Sequence, residues 1–251
     1  MISLIPFLGK TQLFFSQQPS FCLIILFFAS IPLQFVASAL NRFSCLYSSF
    51  HRLEARGIFT TSWFTQNIGL FRITLLLVRL FSFFRRSSVR CLELGSWEGL
   101  SSLFILDSLP NSKLYCVDTW AGADEHQSFP GLSQVKSRFM HNLAPYVANL
   151  SCIPIHMSTD DFFMSNISKP YSFDFCYIDA SHSYDQSLKD LFNCISVVKR
   201  FSFVIFDDYL WNFYNDPSLN CGFALNVFLR TGKSRFVVPL FVSYQVVLFV
   251  I

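Results

Sequence analysis

Two short stretches of this sequence place acidic side chains directly after an apolar run, and one of them adds an imidazole. In FCYIDASHSY, Asp179 follows four mostly apolar residues and His182 comes three positions later. In SFVIFDDYLW, Asp207 and Asp208 follow a similar run. Short apolar runs of this kind are typical of buried strands, and adjacent strands lie about 4.8 Å apart. We therefore expect the four polar side chains to meet at one edge of a sheet.

Three carboxylates that meet at one point repel one another, which raises their pKa values. A hard divalent cation with oxygen ligands removes this cost, and Mg²⁺ fits that description. The expected metal ligands are Asp179, Asp207 and Asp208. A bound cation would also lower the pKa of a hydroxyl group that binds to it. Because imidazole titrates near neutral pH, His182 is the expected catalytic base, with Asp179 beside it in the catalytic centre.

The elements that must position these residues begin near residue 89, where short apolar runs alternate with longer helix-like segments. Such fully apolar strands are typical of a mostly parallel sheet with helices on both faces. Ligands of such α/β sheets bind at the carboxyl ends of the strands. The predicted strands cover residues 89–94, 113–117, 151–155, 173–178, 203–206, 236–238 and 243–250.

A second set of candidate residues follows the first two predicted strands. Gly95 and Gly99 flank a tight turn into a helix, where a ligand can approach the backbone and free N–H groups. Glu93, at the end of the first strand, disfavours a pyrophosphate and suits a ligand amino group. Asp118 ends the second strand, roughly 20 residues after the turn, where an acid typically binds ribose hydroxyls. Together the two acids favour an adenosine ligand that also carries a positive amino group.

These motifs resemble those of the class I S-adenosylmethionine-dependent methyltransferases, over about residues 65–251. LELGSWEGLSS is similar to the first motif of that family, and YCVDTW is similar to its ribose-binding motif. FDFCYIDASHSYDQSLKDL and FVIFDDYLW resemble the subgroup of macrocin-type sugar O-methyltransferases. In two places the sequence departs from the subgroup: Ala180 stands where glycine is usual, and KRFSF replaces a glycine pair before the fifth strand.

The resemblance implies a Rossmann-like fold with a mostly parallel seven-stranded sheet, and S-adenosylmethionine and Mg²⁺ as cofactors. It also implies a small hydroxylated acceptor, such as a sugar or glycoconjugate. Glu125 and His126 fall on a loop that we expect to lie over the active site. The cofactor-binding residues that the resemblance implies are Glu93, Gly95, Ser96, Trp97, Gly99, Asp118, Thr119, Ser158 and Thr159.

The first 60 residues read as a hydrophobic helical extension, followed by a methyltransferase domain over residues 61–251. No charged residue occurs between Thr11 and Asn41, and residues 21–40 are nearly long enough to cross a bilayer as a helix, although Pro32 weakens this. Three interpretations stay open: a transmembrane or interfacial anchor, a cleaved signal peptide, or a helical extension packed on the main domain.

Composition narrows the remaining classes of function. The net charge is only +3 without a long basic run, which argues against nucleic-acid binding. The eight cysteines form no C-x-x-C pair, so we expect no zinc site; buried free thiols suit a cytoplasmic protein.

Two alternatives remain: a nicotinamide-dependent reductase, disfavoured by Glu93 and the missing G-x-G-x-x-G motif, and a non-catalytic membrane-tethered binding protein of the same fold.

Overall fold

The computed structural model describes residues 5–43, 53–85, 88–168, 172–232 and 236–251. Within them, seven strands form one sheet in the order β3-β2-β1-β4-β5-β7-β6. All neighbouring strands pair in parallel except β7, which is antiparallel to both β5 and β6. The strands are β1 (Arg90–Leu94), β2 (Lys113–Asp118), β3 (Cys152–His156), β4 (Phe173–Ile178), β5 (Val198–Phe206), β6 (Val237–Val242) and β7 (Val246–Val250).

Helices cover both faces of this sheet, as the apolar strands predict. One hydrophobic cluster contains Leu92 and Cys176, and the other contains Cys91 and Phe175, so alternate residues of β1 and β4 enter opposite layers. The helices are α1 (Ile5–Ser16), α2 (Phe21–Phe43), α3 (Ile68–Arg85), α4 (Leu100–Ser108), α5 (Val135–Asn142), α6 (Ala144–Ala148), α7 (Thr159–Met164), α8 (Tyr184–Val197) and α9 (Cys221–Leu229).

The predicted seven-stranded fold is confirmed. Its strand boundaries differ at β6, which ends at Val242 rather than at residue 238, at β7, which begins at Val246 rather than at residue 243, and most of all at β5. This strand begins at Val198 rather than at the predicted residue 203. The pairing of β4 with β5 shifts register between Phe173 and Phe175, and Phe201 has a φ of 59°. The segment KRFSF therefore lies inside β5, at the point where the pairing with β4 is irregular. The sugar O-methyltransferase subgroup that the sequence resembles has a glycine pair at this point.

The amino-terminal helices α1 and α2 pack against the main domain. Phe14 and Phe27 stack with ring centroids 4.2 Å apart, and both belong to the buried cluster that contains Tyr209. The amide of Asn226 in α9 donates a hydrogen bond of 2.6 Å to the carbonyl of Gln17. These contacts agree with the third interpretation of the extension, a helical segment packed on the domain. None of the helices in the described part of the chain has both the length and the apolarity of a membrane span.

The segment before residue 61 is also bonded to the predicted domain. Both the N–H and the hydroxyl of Thr60 donate to the carboxylate of Glu98 at 2.6 Å. The Asn142 side chain pairs with the backbone of Ile58 at 2.7 and 3.0 Å. A domain boundary at residue 60 would therefore cut through a segment that is attached to the turn after β1.

Candidate active site

The turn after β1 forms one wall of a cavity at the carboxyl edge of the sheet. Gly95 and Gly99 have φ values of 81° and 84°, a region that favours glycine. A Cβ atom at Gly95 would lie 1.9 Å from the carbonyl oxygen of Asp179, so β1 and β4 approach each other too closely for a side chain here. The turn and the end of β4 are thereby brought to the same edge.

Asp118 holds this turn in place from the end of β2. Its Oδ2 accepts hydrogen bonds from the N–H groups of Ser96 and Trp97 at 2.7 and 2.9 Å, and its Oδ1 accepts one from Trp120 at 2.6 Å. Burial raises the pKa of Asp118, while these backbone donors oppose the shift. The predicted ribose-binding acid lines the cavity and also shapes the turn.

Glu93 occupies a different place from the one that the sequence suggests. It is fully buried beneath the turn, does not line the cavity, and accepts hydrogen bonds from the hydroxyls of Ser101 and Ser102 in α4. Burial raises the pKa of Glu93 to about 7, although the two serines act in the opposite direction. Because α4 covers its carboxylate, Glu93 is not positioned to contact a ligand amino group directly.

The other predicted cofactor residues line the same cavity, with the exception of Gly99, where a Cβ atom would meet Leu143 and Phe139 instead. Thr119 follows β2. Ser158 is the N-cap of α7, and its hydroxyl accepts a hydrogen bond of 3.1 Å from the N–H of Asp161. The hydroxyl of Thr159 accepts one of 2.9 Å from the side chain of Gln186. The residues of the turn and those that follow β2 and β3 therefore line one cavity.

The opposite side of the cavity carries the predicted acid cluster. Asp179 follows β4, Asp208 lies two residues after β5, and His182 lies on the loop that leads into α8. Nε2 of His182 is 2.8 Å from Oδ2 of Asp208 and 3.6 Å from Oδ1 of Asp179. One ligand atom from each of the three residues falls within 4.8 Å of the others. This spacing could hold a metal ion.

Asp207 is not part of this cluster, in contrast to the predicted ligand set. Its Oδ2 accepts hydrogen bonds from the hydroxyl of Tyr177 and, at 2.8 Å, from the amide of Gln245, and its Oδ1 accepts one from the N–H of Asp208. Asp207 and Asp208 lie beyond the end of β5, and Asp208 has a φ of 55°, so the chain leaves the extended conformation there and the two carboxylates reach different partners. The three groups that the structure brings together are Asp179, His182 and Asp208.

The electrostatics of the cluster favour a bound positive charge. Burial raises the pKa of Asp179 to about 6, and repulsion from Asp208 adds to the shift. Burial would lower the pKa of His182, but its interactions with Asp179, Asp208 and Glu125 raise it well above the usual range. The cluster thus stabilises a cation at this position, either on the imidazole or beside the carboxylates.

Three residues of the site were missed or only partly anticipated from the sequence. Glu125 was predicted on a loop over the site, and its carboxylate binds Nδ1 of His182. Tyr177, fully buried two residues before Asp179, also donates to Asp179 at 3.0 Å. Gln245 precedes β7, whose first residue pairs with the last residue of β5. The alternation of side chains along β4 could have indicated that Tyr177 lies on the same side as Asp179. The position of Gln245 could not be predicted in this way, because it depends on the register of β7.

Aromatic rings form the rim of the cavity above the turn. The ring of His126 lies 5.3 Å from Trp63 and 4.8 Å from Trp97, and Phe129 packs edge-on against both tryptophans. Trp63 remains 51% exposed. The whole cavity has a volume of about 960 Å³ and includes the turn, Asp118 and the acid cluster, so it could hold two small ligands side by side.

Comparison with known proteins agrees with this geometry. Residues 92–209, from β1 to just beyond Asp208, match the family described as a methyltransferase domain. No curated protein matches the sequence significantly. Together with the sheet order, the family match shows an S-adenosylmethionine-dependent methyltransferase domain of the class I fold in this part of the chain.

Several solved structures share this fold at low sequence identity. An O-methyltransferase from Bacillus cereus in complex with SAH is 14% identical, with a TM-score of 0.55 and coverage of 86% of this chain and 97% of that one. Cofactor-bound Rv0187 from MTB is 14% identical, with a TM-score of 0.54 and coverage of 86% and 95%. The MycE methyltransferase from the mycinamycin biosynthetic pathway, in complex with Mg, SAH and mycinamycin VI, is 18% identical, with a TM-score of 0.50 and coverage of 80% and 53%.

Proposed function

We propose that this methyltransferase transfers the methyl group of S-adenosylmethionine to a hydroxyl of a small acceptor such as a sugar or glycoconjugate, with the help of Mg²⁺. The observation that carries the proposal is the position of Asp179, His182 and Asp208 in the same cavity as the Gly95–Gly99 turn. One end of the cavity suits the cofactor, and the other suits a hydroxyl that must lose its proton.

The residues around the turn fit S-adenosylmethionine. The absence of a side chain at Gly95 leaves the backbone open to close approach. Asp118 and Thr119 would hold the ribose, and Ser158 and Thr159 would lie against the adenine. Glu93 would act from beneath the turn, by fixing the start of α4 through Ser101 and Ser102, rather than by touching the ligand amino group.

The acid cluster fits a divalent cation held by Asp179 and Asp208. Carboxylate oxygens are the ligands that Mg²⁺ prefers, and an adjacent imidazole also suits Mn²⁺ or Zn²⁺. Asp207 would support the site from behind, because its hydrogen bonds with Tyr177 and Gln245 fix the end of β5. When bound, the cofactor supplies the methyl group and the cation lowers the pKa of the acceptor hydroxyl.

His182 would accept the acceptor proton at Nε2. Its Nδ1 is committed to Glu125, so the Nε2 lone pair is the one directed to the cluster. Burial lowers the pKa of His182, but Asp179, Asp208 and Glu125 raise it, and a cation beside the two aspartates would oppose that rise. Base catalysis by His182 and cation binding by Asp179 and Asp208 are therefore expected to depend on each other.

The choice of oxygen as the methylated atom is supported by analogy. The Bacillus cereus protein is described as an O-methyltransferase, and the MycE structure contains Mg together with SAH and mycinamycin VI. Both share only the fold with this chain, at less than 20% identity. A hydroxyl acceptor also agrees with the pairing of a cation site and an imidazole, which serves to remove a proton from oxygen.

The test is a methyl-transfer assay with labelled S-adenosylmethionine against pooled hydroxylated metabolites, run with Mg²⁺ and with a chelator. We expect transfer that depends on the metal and is lost in Asp208→Ala, with cofactor affinity retained by calorimetry. Full activity in chelator would exclude the metal from the reaction. Retained cofactor binding without transfer to any hydroxylated compound would favour the non-catalytic alternative.

A further inference from the structure

Trp211 lies beside the acid cluster in the wall of the cavity. Its ring centroid lies 5.6 Å from that of His182, and the residue lines the cavity. Its position is fixed by the turn after β5: Asp208 has a φ of 55°, and its carbonyl accepts a hydrogen bond of 2.8 Å from the N–H of Trp211. The motif FDDYLW therefore places Trp211 in the wall of the same cavity as Asp208.

The indole N–H of Trp211 is buried and has no hydrogen-bond partner among the residues that the structure describes. Burying such a donor without a partner is costly. A ligand oxygen beside the acid cluster would supply the missing partner. By contrast, the indole of Trp120 donates to the carbonyl of Trp97 at 3.0 Å and needs no ligand.

The charge of the cavity wall constrains the ligand further. Its described lining contains no lysine or arginine but eight acidic residues: Glu98, Asp118, Asp124, Glu125, Asp160, Asp179, Asp207 and Asp208. The nearest cations, Arg138 beside Glu98 and Lys189 at 3.2 Å from Asp160, lie outside the lining. Phosphate and carboxylate ligands are usually recognised by arginine or lysine. The described lining offers an anionic acceptor no such side chain.

We propose that the methyl acceptor is an uncharged hydroxylated ring compound and that Trp211 selects it, by stacking on the ring and donating its indole N–H to an acceptor oxygen. This inference rests on the proposed function, since it places the reacting hydroxyl at Asp179 and Asp208. It excludes acceptors with phosphate, carboxylate or nucleotide groups, because the described lining is acidic and contains no lysine or arginine to pair with them. Both saturated sugar rings and aromatic rings can stack on an indole.

The first experiment compares matched acceptors in the methyl-transfer assay with Mg²⁺. The library contains neutral alkyl glycosides with their uronate and 6-phosphate counterparts, and catechols with their carboxylated counterparts. The neutral member of each reactive pair should have a kcat/KM about 100-fold higher or more, as expected for like-charge repulsion in a partly buried site. The two arms of the library distinguish a saturated ring from an aromatic one.

The second experiment tests Trp211 itself, with two variants that separate stacking from hydrogen bonding. Trp211→Phe keeps a ring and loses the N–H, so KM for the best neutral acceptor should rise about 3- to 10-fold. Trp211→Ala loses both, so KM should rise about 10- to 100-fold. Affinity for S-adenosylmethionine, measured by calorimetry, should stay unchanged in both and serves as the control for folding.

A readout without turnover comes from the four tryptophans. In ¹⁵N–¹H spectra the indole signal of Trp211, assigned by its absence in Trp211→Phe, should shift when the best neutral acceptor is added to the cofactor-bound protein. The signal of Trp120 should shift much less, because its N–H already has a partner. An unmoved Trp211 signal with a bound acceptor would overturn the role of this residue.

The remaining outcomes separate the inference from the proposed function. Efficient methylation of phosphorylated or carboxylated members would overturn the inference and leave methyl transfer to oxygen intact. Binding of S-adenosylmethionine without transfer to any member of the library would contradict both. A rise in KM for neutral acceptors in Trp211→Ala, with kcat nearly unchanged, would support the assignment, since a purely structural role would lower cofactor affinity as well.

Discussion

Asp207 and Asp208 are adjacent in the sequence, but their carboxylates bind different partners. Asp207 accepts hydrogen bonds from Tyr177 and Gln245 inside the domain, whereas Asp208 lies 2.8 Å from Nε2 of His182 in the cavity. Burial, together with repulsion from Asp179 and Asp208, raises the pKa of Asp207 well above its usual range. The two acids should therefore respond differently to the same substitution.

Asp208→Asn should weaken the binding of Mg²⁺ or Mn²⁺ by about 100-fold or more, because it removes a charged ligand. Asp207→Asn should cost no more than about 10-fold, the lower end for a residue that supports a ligand from behind. Its neutral amide resembles the protonated acid that burial favours, so the free energy of unfolding should change little or rise. Calorimetric titration with each metal measures the first effect, and urea unfolding measures the second.

An equal loss of metal affinity in the two variants would return Asp207 to the ligand set that the sequence suggests. Unimpaired binding in Asp208→Asn would remove the metal site from this cluster. Cofactor affinity, measured in parallel, should be the same in both variants, since the turn after β1 contacts neither residue's carboxylate.

Glu125 and His182 define a second prediction. Their side chains come from loops 57 positions apart, and Glu125 binds Nδ1 of the imidazole. Glu125→Gln should lower kcat about 10- to 100-fold, because the imidazole loses the carboxylate that orients it. The loss of that negative charge should also lower the pKa of His182, so the rising limb of the pH–rate profile should move to lower pH. Steady-state kinetics between pH 5 and 9 would show both effects.

Asp124→Asn is the matched control for this prediction. Asp124 precedes Glu125 on the same turn, but its carboxylate accepts a hydrogen bond of 2.9 Å from Tyr214 rather than from the imidazole. It should leave the pH–rate profile in place. A profile that moves equally in both variants would indicate a general effect of charge at the cavity mouth rather than a specific contact.

Much of the sheet could be predicted from the sequence, because its strands are short apolar runs that end in polar residues. Asp179 and Asp208 meet as expected, since β4 and β5 are parallel neighbours. The placement of Asp207 could not be predicted from the motif alone. Its partner Gln245 comes from the antiparallel β7, whose register depends on tertiary contacts rather than on local sequence.

The contacts of Glu125 and Glu93 could not be predicted from the sequence either. Glu125 falls on a predicted loop, but its contact with His182 requires the fold that joins them. Glu93 was expected at the ligand because acids at strand ends often face the cavity. Instead, the carboxylate of Glu93 lies beneath α4, where it accepts hydrogen bonds from the two serines at the start of that helix. These hydrogen bonds depend on the tertiary structure and could not be predicted from the sequence.

The buried carboxyl of Glu93 makes stability depend on pH. Its pKa in the folded protein is about 7, above the ordinary value of 4.5, so the folded state binds the proton more tightly than the unfolded state. The stabilising contribution is complete below pH 4.5 and is lost as the pH rises through 7. The difference of pKa corresponds to about 3 kcal/mol of unfolding free energy.

Glu93→Gln should remove this pH dependence. Urea unfolding at pH 5 and pH 8 should show a larger fall in stability for the native protein than for the variant. Asp107→Asn is the control, since that acid is about half exposed and should leave the pH dependence as it is. A fall of the same size in native protein and Glu93→Gln would mean that Glu93 ionises normally in the folded state.

The last prediction concerns the amino-terminal extension. If α1 is an integral part of the fold, Phe14→Ala should lower the free energy of unfolding by about 3–5 kcal/mol, the usual cost of truncating a buried phenylalanine. Phe14 is fully buried between Phe27 and Tyr209, so its removal leaves a cavity at the junction of extension and domain. Urea unfolding of the full-length chain measures this change.

Phe21→Ala provides the comparison within the same extension. Phe21 begins α2 and is 77% exposed, so its truncation should change the free energy of unfolding by no more than about 0.5 kcal/mol. Equal and small effects of both substitutions would show that α1 does not stabilise the domain, and the anchor interpretation would regain support. A large effect of Phe14→Ala alone, with a single cooperative transition, would establish that the helices fold together with the methyltransferase domain.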